Sequence, residues 1–353
     1  RAAAVAYGVL DELRDTPISV DGTPKTLLDE VDTISGVSGG SFPAAYYGLY
    51  GDRIFEEFEP RFLKKNVQGA LLLRALYPWN LVGLMTPWLS RSDLASSYYD
   101  KRVFEGATFA DLDAAKGPRV HINATDLSSG ERFTFNQNTF DVICSDLDVF
   151  PISTAVAASS AVPVLLSPIT LKNHAGTCDY VAPRWVQKIL DDRDASERRK
   201  RAVRNYMRLT DAQHKRFIHL VDGGISDNLG LRPAIDFVTA VGGIEKVRRL
   251  QHAEVPDRMV IIVVNAETDP DPRIDLTAAA PSFASLMNSV SGGQIRRYNF
   301  ETLLLAENLL KQWGRELSSD EQQVSTYMVN VSFDEFQDPD ERRYFKHLPT
   351  SFT

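Results

Sequence analysis

The segment Asp32-Thr33-Ile34-Ser35-Gly36-Val37-Ser38-Gly39-Gly40-Ser41 sets a serine in a Gly-x-Ser-x-Gly string, with a β-branched run before it and a helix-forming run after it. A strand that turns sharply into a helix lifts the serine hydroxyl above a sheet. Backbone N–H groups and the helix dipole there favour developing negative charge. This arrangement suits a nucleophile that attacks a carbonyl and forms an acyl intermediate. Gly36, Gly39 and Gly40 are expected to be required because a side chain beside the serine would meet the sheet, the helix or the substrate. The Gly39 N–H is the expected donor to the oxyanion. The same string also fits an inert Gly/Ser-rich turn, but the flanking strand and helix weigh against that.

A serine hydroxyl is a weak nucleophile until a neighbour takes its proton. Histidine usually does so, and the chain has six: His121, His174, His214, His219, His252 and His347. A Ser-Asp-His chain order leaves His252 or His347, and neither stands in a Gly-rich or strand-end setting. His219-Leu220-Val221-Asp222-Gly223-Gly224-Ile225-Ser226 is a better source, because a strand ends there on a carboxylate. Ligands of α/β sheets bind at the carboxyl ends of strands, and Gly223 and Gly224 let backbone or substrate approach. Alone, Asp222 reads as the structural carboxylate of an Asp-Gly turn. Beside the Ser38 elbow it reads as the base, expected within about 2.6–3.2 Å of the hydroxyl.

These residues need a scaffold. Apolar, partly β-branched runs at 31–34, 119–124, 217–221, 260–264 and 327–331 predict strands, the run 260–264 buried on both faces. Residues 132–135 alternate after Ser128-Ser129-Gly130 and predict the second arm of a hairpin. Helices are expected over 41–50, from a Ser92-Asp93 cap to 104, over 152–162, over 229–241 with a Gly242-Gly243 stop, and over 282–317 as one helix or two. Strands alternating with helices imply an α/β fold, a mostly parallel central sheet with helices on both faces. No linker or repeat divides the chain, so residues 1–353 are expected to form a single domain. Its helical insertions fall at about 51–89 and 182–215.

Gly36-Val37-Ser38-Gly39-Gly40 together with Asp222-Gly223-Gly224 resembles the patatin-like phospholipases, which pair Gly-x-Ser-x-Gly with Asp-Gly-Gly or Asp-Gly-Ala. Asn123-Ala124-Thr125-Asp126-Leu127-Ser128-Ser129-Gly130-Glu131 is similar to the family's hairpin. Ala157-Ala158-Ser159-Ser160-Ala161-Val162-Pro163 is similar to its Ala-Ser-x-Ala-x-Pro segment near the active site. The likeness runs from Arg1 to about Pro233 and implies a three-layer α/β architecture and a serine–aspartate dyad without histidine. It further implies hydrolysis of phospholipids or other acyl esters, with no cofactor. The family also has a Gly-Gly-Gly-x-Arg oxyanion loop, and Arg1 is similar to its last residue. The loop's glycines would then lie upstream of Arg1. Without them the resemblance implies a placed dyad with severely reduced activity, since each oxyanion donor is worth about 3–4 kcal/mol.

Bulk properties agree with such a reading. A net charge of −8 argues against a nucleic-acid partner, whose footprint is basic. No stretch of 18 apolar residues exists: the nearest, 69–89, is broken by Arg74, Pro78, Asn80 and Pro87, so no membrane span is expected. Leu71, Leu72, Leu73, Leu76, Tyr77, Trp79, Leu81, Val82, Leu84, Met85 and Trp88 offer either an apolar surface for peripheral contact with lipid or a hairpin packed on the core. The basic run 198–204 reads as a solvated helix face before it reads as a headgroup site. Cys144 and Cys178 fit two buried thiols or one disulfide; the disulfide would favour the cell envelope over the cytoplasm. No Cys/His spacing suggests a metal. The chain opens at Arg1 without a methionine or signal pattern, with Val5, Val9 and Leu13 on one helix face, as a piece of a longer chain would. Two other functions remain: a catalytically silent lipid-binding protein on the same fold, and a Ser-His-Asp esterase using His252 or His347.

Overall fold

A computed structural model of the chain describes residues 1–20, 22–84, 86, 90–163, 166–269, 275–276, 278 and 280–348, with the backbone alone at 81, 82, 84, 283, 284, 287 and 288. These residues form two compact units. One comprises Arg1–Cys178 and Asp211–Ser226, the other Asp179–Thr210 and Asp227–Leu348.

The first unit holds seven strands: β1 (Pro17–Val20), β2 (Thr23–Thr26), β3 (Thr33–Val37), β4 (Arg119–Asp126), β5 (Glu131–Phe135), β6 (Ile169–Lys172) and β7 (Phe217–Val221). The first two make a separate hairpin. The other five form one sheet in the order β3-β4-β7-β6, with β5 also on β4. The α/β class holds, and the sheet is mixed rather than mostly parallel. Only β3 and β4 run parallel in it. Loop length explains part of this. Residues 38–118 are long enough for a helical crossover, whereas the turn at 127–130 forces β5 back against β4.

Small residues let helices lie close on this sheet. The helix Ser41–Tyr50 packs on β3 and β4 with Phe42, Ala44, Ala45 and Tyr46 buried. The helix Ile152–Ser159 packs on β4, β6 and β7 through Ala155, Ala157, Ala158 and Ser159. The helix expected from a Ser92-Asp93 cap begins two residues earlier. Ser90 is its cap, in a reciprocal box with Asp93 across Arg91–Tyr99. Between residues 53 and 84 the described helices are Arg53–Phe58, Glu59–Leu63, Val67–Ala75 and Pro78–Leu84, and Val67–Ala75 packs on Arg91–Tyr99. Leu72, Leu73, Leu76, Tyr77 and Trp79 are exposed rather than packed inward. Met85 and Trp88, and the side chains of Leu81, Val82 and Leu84, lie outside the described residues.

Cys144 and Cys178 form a disulfide, Cα–Cα 5.6 Å, so the two-thiol alternative falls away. They are 34 positions apart. By chain entropy, closing a loop of that length stabilises by about 3–4 kcal/mol.

In the second unit β8 (Arg258–Asn265) and β9 (Ser325–Ser332) pair in parallel. The expectation that 260–264 is buried on both faces is corrected: Val260 is 53% exposed. Arg258 on the same face is exposed too, and among the described residues β8 pairs with β9 alone, so its other edge stays unpaired. The segment 282–317 resolves into a single helix, Phe283–Leu317. Ala306, Leu310 and Trp313 on it share a core with Ile235, Val238 and Val241 of the helix Arg232–Val241. The charged segment 182–215 supplies the helices Arg184–Asp191 and Glu197–Met207, buried through Val186, Ile189 and Val203. Among the described residues no helix is long and apolar enough to cross a membrane.

Candidate active site

Strand β4 is the ruler of the site. Val37 of β3 lies opposite Asn123, and Val221 of β7 lies opposite Thr125. β3 runs with β4 and β7 runs against it. One further residue along each strand therefore brings both Ser38 and Asp222 level with Ala124, on the same edge of β4, where the two strand ends meet tip to tip opposite β5. The Ser38 hydroxyl donates to Asp222 Oδ2 at 2.7 Å, across a sequence separation of 184. Sequence reasoning expected two parallel strand ends; the structure reaches the same meeting with one parallel and one antiparallel neighbour.

Local backbone demands explain the glycines unequally. Ser38 sits at φ 51°, in the left-handed region that costs a non-glycine residue about 1 kcal/mol or more. A Cβ on Gly36 would stand 2.7 Å from Ser41 Cα, so the strand and following helix touch only because Gly36 has none. A Cβ on Gly223 would stand 2.2 Å from Asn123 O, so β7 could not lie beside β4 there. At Gly39 the nearest atoms are Ala2 Cβ and Ala3 N, at 3.2 and 3.3 Å; the first turn of the helix Ala2–Asp15 rests on the elbow. At Gly40 a Cβ would meet no protein atom within 4 Å, and the φ of −70° suits any residue, so neither the sheet nor the helix requires glycine there. Gly224 acts through its amide, which donates to Asp222 Oδ1 at 2.8 Å.

Asp222 is buried, and burial pushes its carboxyl up to about 6, against the opposing pull of hydrogen bonds from Ser38 and Gly224. At neutral pH it is still mostly ionised, so a base and a hydroxyl proton stand in one line. Among the described residues Asp222 is the sole hydrogen-bond partner of the Ser38 hydroxyl. His219 meets Thr170 Oγ1 at 2.9 Å instead. His347 meets Arg343 O at 2.7 Å, and His252 closes the helix Ile244–Gln251 in a left-handed turn.

A family model of patatin-like phospholipases matches residues 1–235. The chain belongs to this family. A search of curated proteins finds no match. Membership makes the chain an α/β lipid acyl hydrolase in the general sense, with lipid esters as its substrate class. The matched span contains the elbow, β4, the helix Ile152–Ser159 and Asp222.

In this patatin-like chain the support of the site comes from residues that sequence reasoning did not single out. Ser159 Oγ accepts the Ser38 amide at 2.9 Å and donates to Asn123 O at 2.6 Å. The Ser38 N–H is thereby occupied, while the Gly39 N–H has no protein acceptor among the described residues. Asn123 is fully buried; its Nδ2 reaches Ser35 Oγ and Gly36 O, and its Oδ1 accepts from Thr134. Thr125 Oγ1 donates to Asp222 O at 2.8 Å and meets Ser226 Oγ at 2.8 Å. The available signals were two family-like strings, 157–163 with Ser159 and 123–131 with Asn123 and Thr125, and neither says that these residues meet. Ser159→Ala leaves one buried donor without its acceptor and is expected to cost about 1–3 kcal/mol. The unfolding free energy from urea denaturation should fall by that amount, and Ser159→Thr, which keeps the oxygen, should recover part of it.

Proposed function

We propose that the chain hydrolyses carboxylic esters of lipids, phospholipids or lysophospholipids among them, by a serine–aspartate dyad. The observation that carries this reading is the 2.7 Å contact from Ser38 Oγ to Asp222 Oδ2. Ser38 Oγ attacks the ester carbonyl carbon as its proton passes to Asp222. The tetrahedral oxyanion takes a hydrogen bond from the Gly39 N–H. The ester C–O bond then breaks, the leaving alcohol receives the proton from Asp222, and the acyl group stays on Ser38. Water attacks the acyl-enzyme, gives its proton to Asp222, and releases the acid; the proton returns to Ser38. Gly36 lets the helix after Ser38 close on β3, Gly223 lets β7 lie beside β4, and Gly224 orients the carboxylate.

Covalent labelling tests the reading against a silent lipid-binding protein of the same fold. A fluorophosphonate probe should label one residue, Ser38, found by peptide mass mapping, with labelling that rises between pH 5 and 7 as Asp222 ionises. Absence of labelling in a folded full-length chain would falsify the dyad. The disulfide supports a second, smaller proposal: residence in an oxidising compartment such as the cell envelope.

A further inference from the structure

The stretch from Pro60 to Ser92 has a charge pattern opposite to the rest of the chain. It contains Arg61, Lys64, Lys65, Arg74 and Arg91 and no Asp or Glu, in a chain of net charge −8. Arg61 is held by Glu57 and Glu105, and Lys64 by Glu59, so those two cations are partly neutralised. Lys65 is exposed, and Arg74 lies over the ring of Tyr98 at 5.1 Å. Neither has an acidic partner among the described residues.

Between these cations the chain turns an apolar corner outward. The helix Val67–Ala75 is capped by Asn66, whose Oδ1 accepts from the Gly69 N–H at 2.8 Å. The next helix, Pro78–Leu84, is tied back by Asn80 Nδ2 donating to Arg74 O at 2.8 Å. The corner therefore has a fixed shape. Leu72, Leu73, Leu76, Tyr77 and Trp79 stand on it, Leu73 66% and Trp79 71% exposed, with the Tyr77 and Trp79 rings stacked at 5.4 Å. Adjacent large apolar side chains are seldom left in water without a partner. Leucines with Tyr and Trp, bordered by Lys and Arg and free of acids, match the chemistry of a boundary between acyl chains and anionic headgroups.

We infer that this corner seats the protein on an anionic lipid surface. Trp79, Tyr77 and the three leucines enter the headgroup boundary while Lys65 and Arg74 face the phosphates. The inference rests on the lipid-ester reading of the same unit and adds how substrate reaches it. The helix Val67–Ala75 packs on Arg91–Tyr99, which packs on Ile152–Ser159, whose Ser159 holds the Ser38 amide. Two helices thus join the seat to the elbow. An acidic protein is repelled by an anionic membrane at long range; a basic, apolar corner gives it one orientation in which contact is favourable.

Flotation of the full chain with vesicles tests this. Vesicles of phosphatidylcholine alone are compared with vesicles enriched in phosphatidylglycerol. Binding should be stronger to the anionic vesicles and should weaken with salt. Leu73→Glu with Trp79→Glu should lower binding to both by about tenfold or more, and Lys65→Glu with Arg74→Glu should remove the anionic preference. Circular dichroism checks that each variant is folded. Ser38→Ala should float as the wild type does, so a failure of the dyad and a failure of the seat are read separately. No flotation of the wild type, or equal flotation of Leu73→Glu/Trp79→Glu, overturns the inference. So does a wild-type dimer in gel filtration that the same double substitution makes monomeric, because a second copy then covers the corner.

Discussion

Ser38→Ala is expected to lower kcat toward lipid esters by about 10⁴-fold or more with the fold intact. Alanine adopts the same strained backbone at φ 51° no worse than serine does, and the elbow amide keeps its bond to Ser159 Oγ. The lost group is the attacking atom itself. The substitution has a second signature at its neighbour. Asp222 loses the side-chain donor that holds its carboxyl down, so the pKa, already raised to about 6 by burial, should rise further. Steady-state hydrolysis, with thermal unfolding as the control, decides the matter. Activity within about tenfold of the wild type would mean that another residue is the nucleophile.

Asp222→Asn should have the second largest effect, and in two opposite directions. Activity should fall by about 10³–10⁴-fold, because the amide does not accept the serine proton. Stability at neutral pH should rise. In the folded state the Asp222 carboxyl titrates at about 6, above the unfolded value of 3.8. Between those values the folded protein binds more protons than the unfolded chain, so stability falls as pH rises through the window. The buried charge then costs on the order of 3 kcal/mol above pH 6. Asparagine carries no charge and avoids that cost, so the stabilisation should be present at pH 7–8 and vanish near pH 4. The wild type should show the matching kinetic limb, kcat/KM rising about tenfold per pH unit below 6 and levelling above it. Denaturant melts of both proteins across pH 4–8 check the stability half. Equal stability of both at pH 7.5 would mean that Asp222 is not buried as a charge.

These two effects share a cause: a base held largely out of bulk water, beside a serine in a strained turn. The same burial that makes Asp222 costly at neutral pH brings its pKa closer to the operating range of a general base. The site therefore trades stability for reactivity at two adjacent points, the Ser38 backbone and the Asp222 charge.

How much of this is legible in the sequence follows from the range of each interaction. Gly36 and Ser38 are legible because a sharp strand-to-helix turn is a local demand on a few consecutive residues. Asp222 is legible because the run from Phe217 to Val221 ends on Asp-Gly-Gly. The helix Ser41–Tyr50 follows from its own apolar residues. The motif does not say which glycine a protein neighbour presses on: Gly36 is pressed by the following helix and Gly40 by no protein atom. The burial of 260–264 was over-read for a similar reason: an apolar run shows affinity for a core, not the presence of a second layer. The two readings of 71–79 stayed open because a leucine-rich helix has one composition whether it faces protein or lipid.

The sequence by itself therefore determined the family, the nucleophile's turn and the identity of its carboxylate candidate, all set by residue type within short windows. Only the tertiary structure decided that the two meet. That depends on β4 pairing with β3 in one direction and β7 in the other, so that both strand ends stop level with Ala124. It also decided the disulfide, the Ser159 and Asn123 hydrogen bonds and the raised Asp222 pKa. Register, burial and long-range hydrogen bonds are properties of which segments become neighbours, and no single segment carries that information.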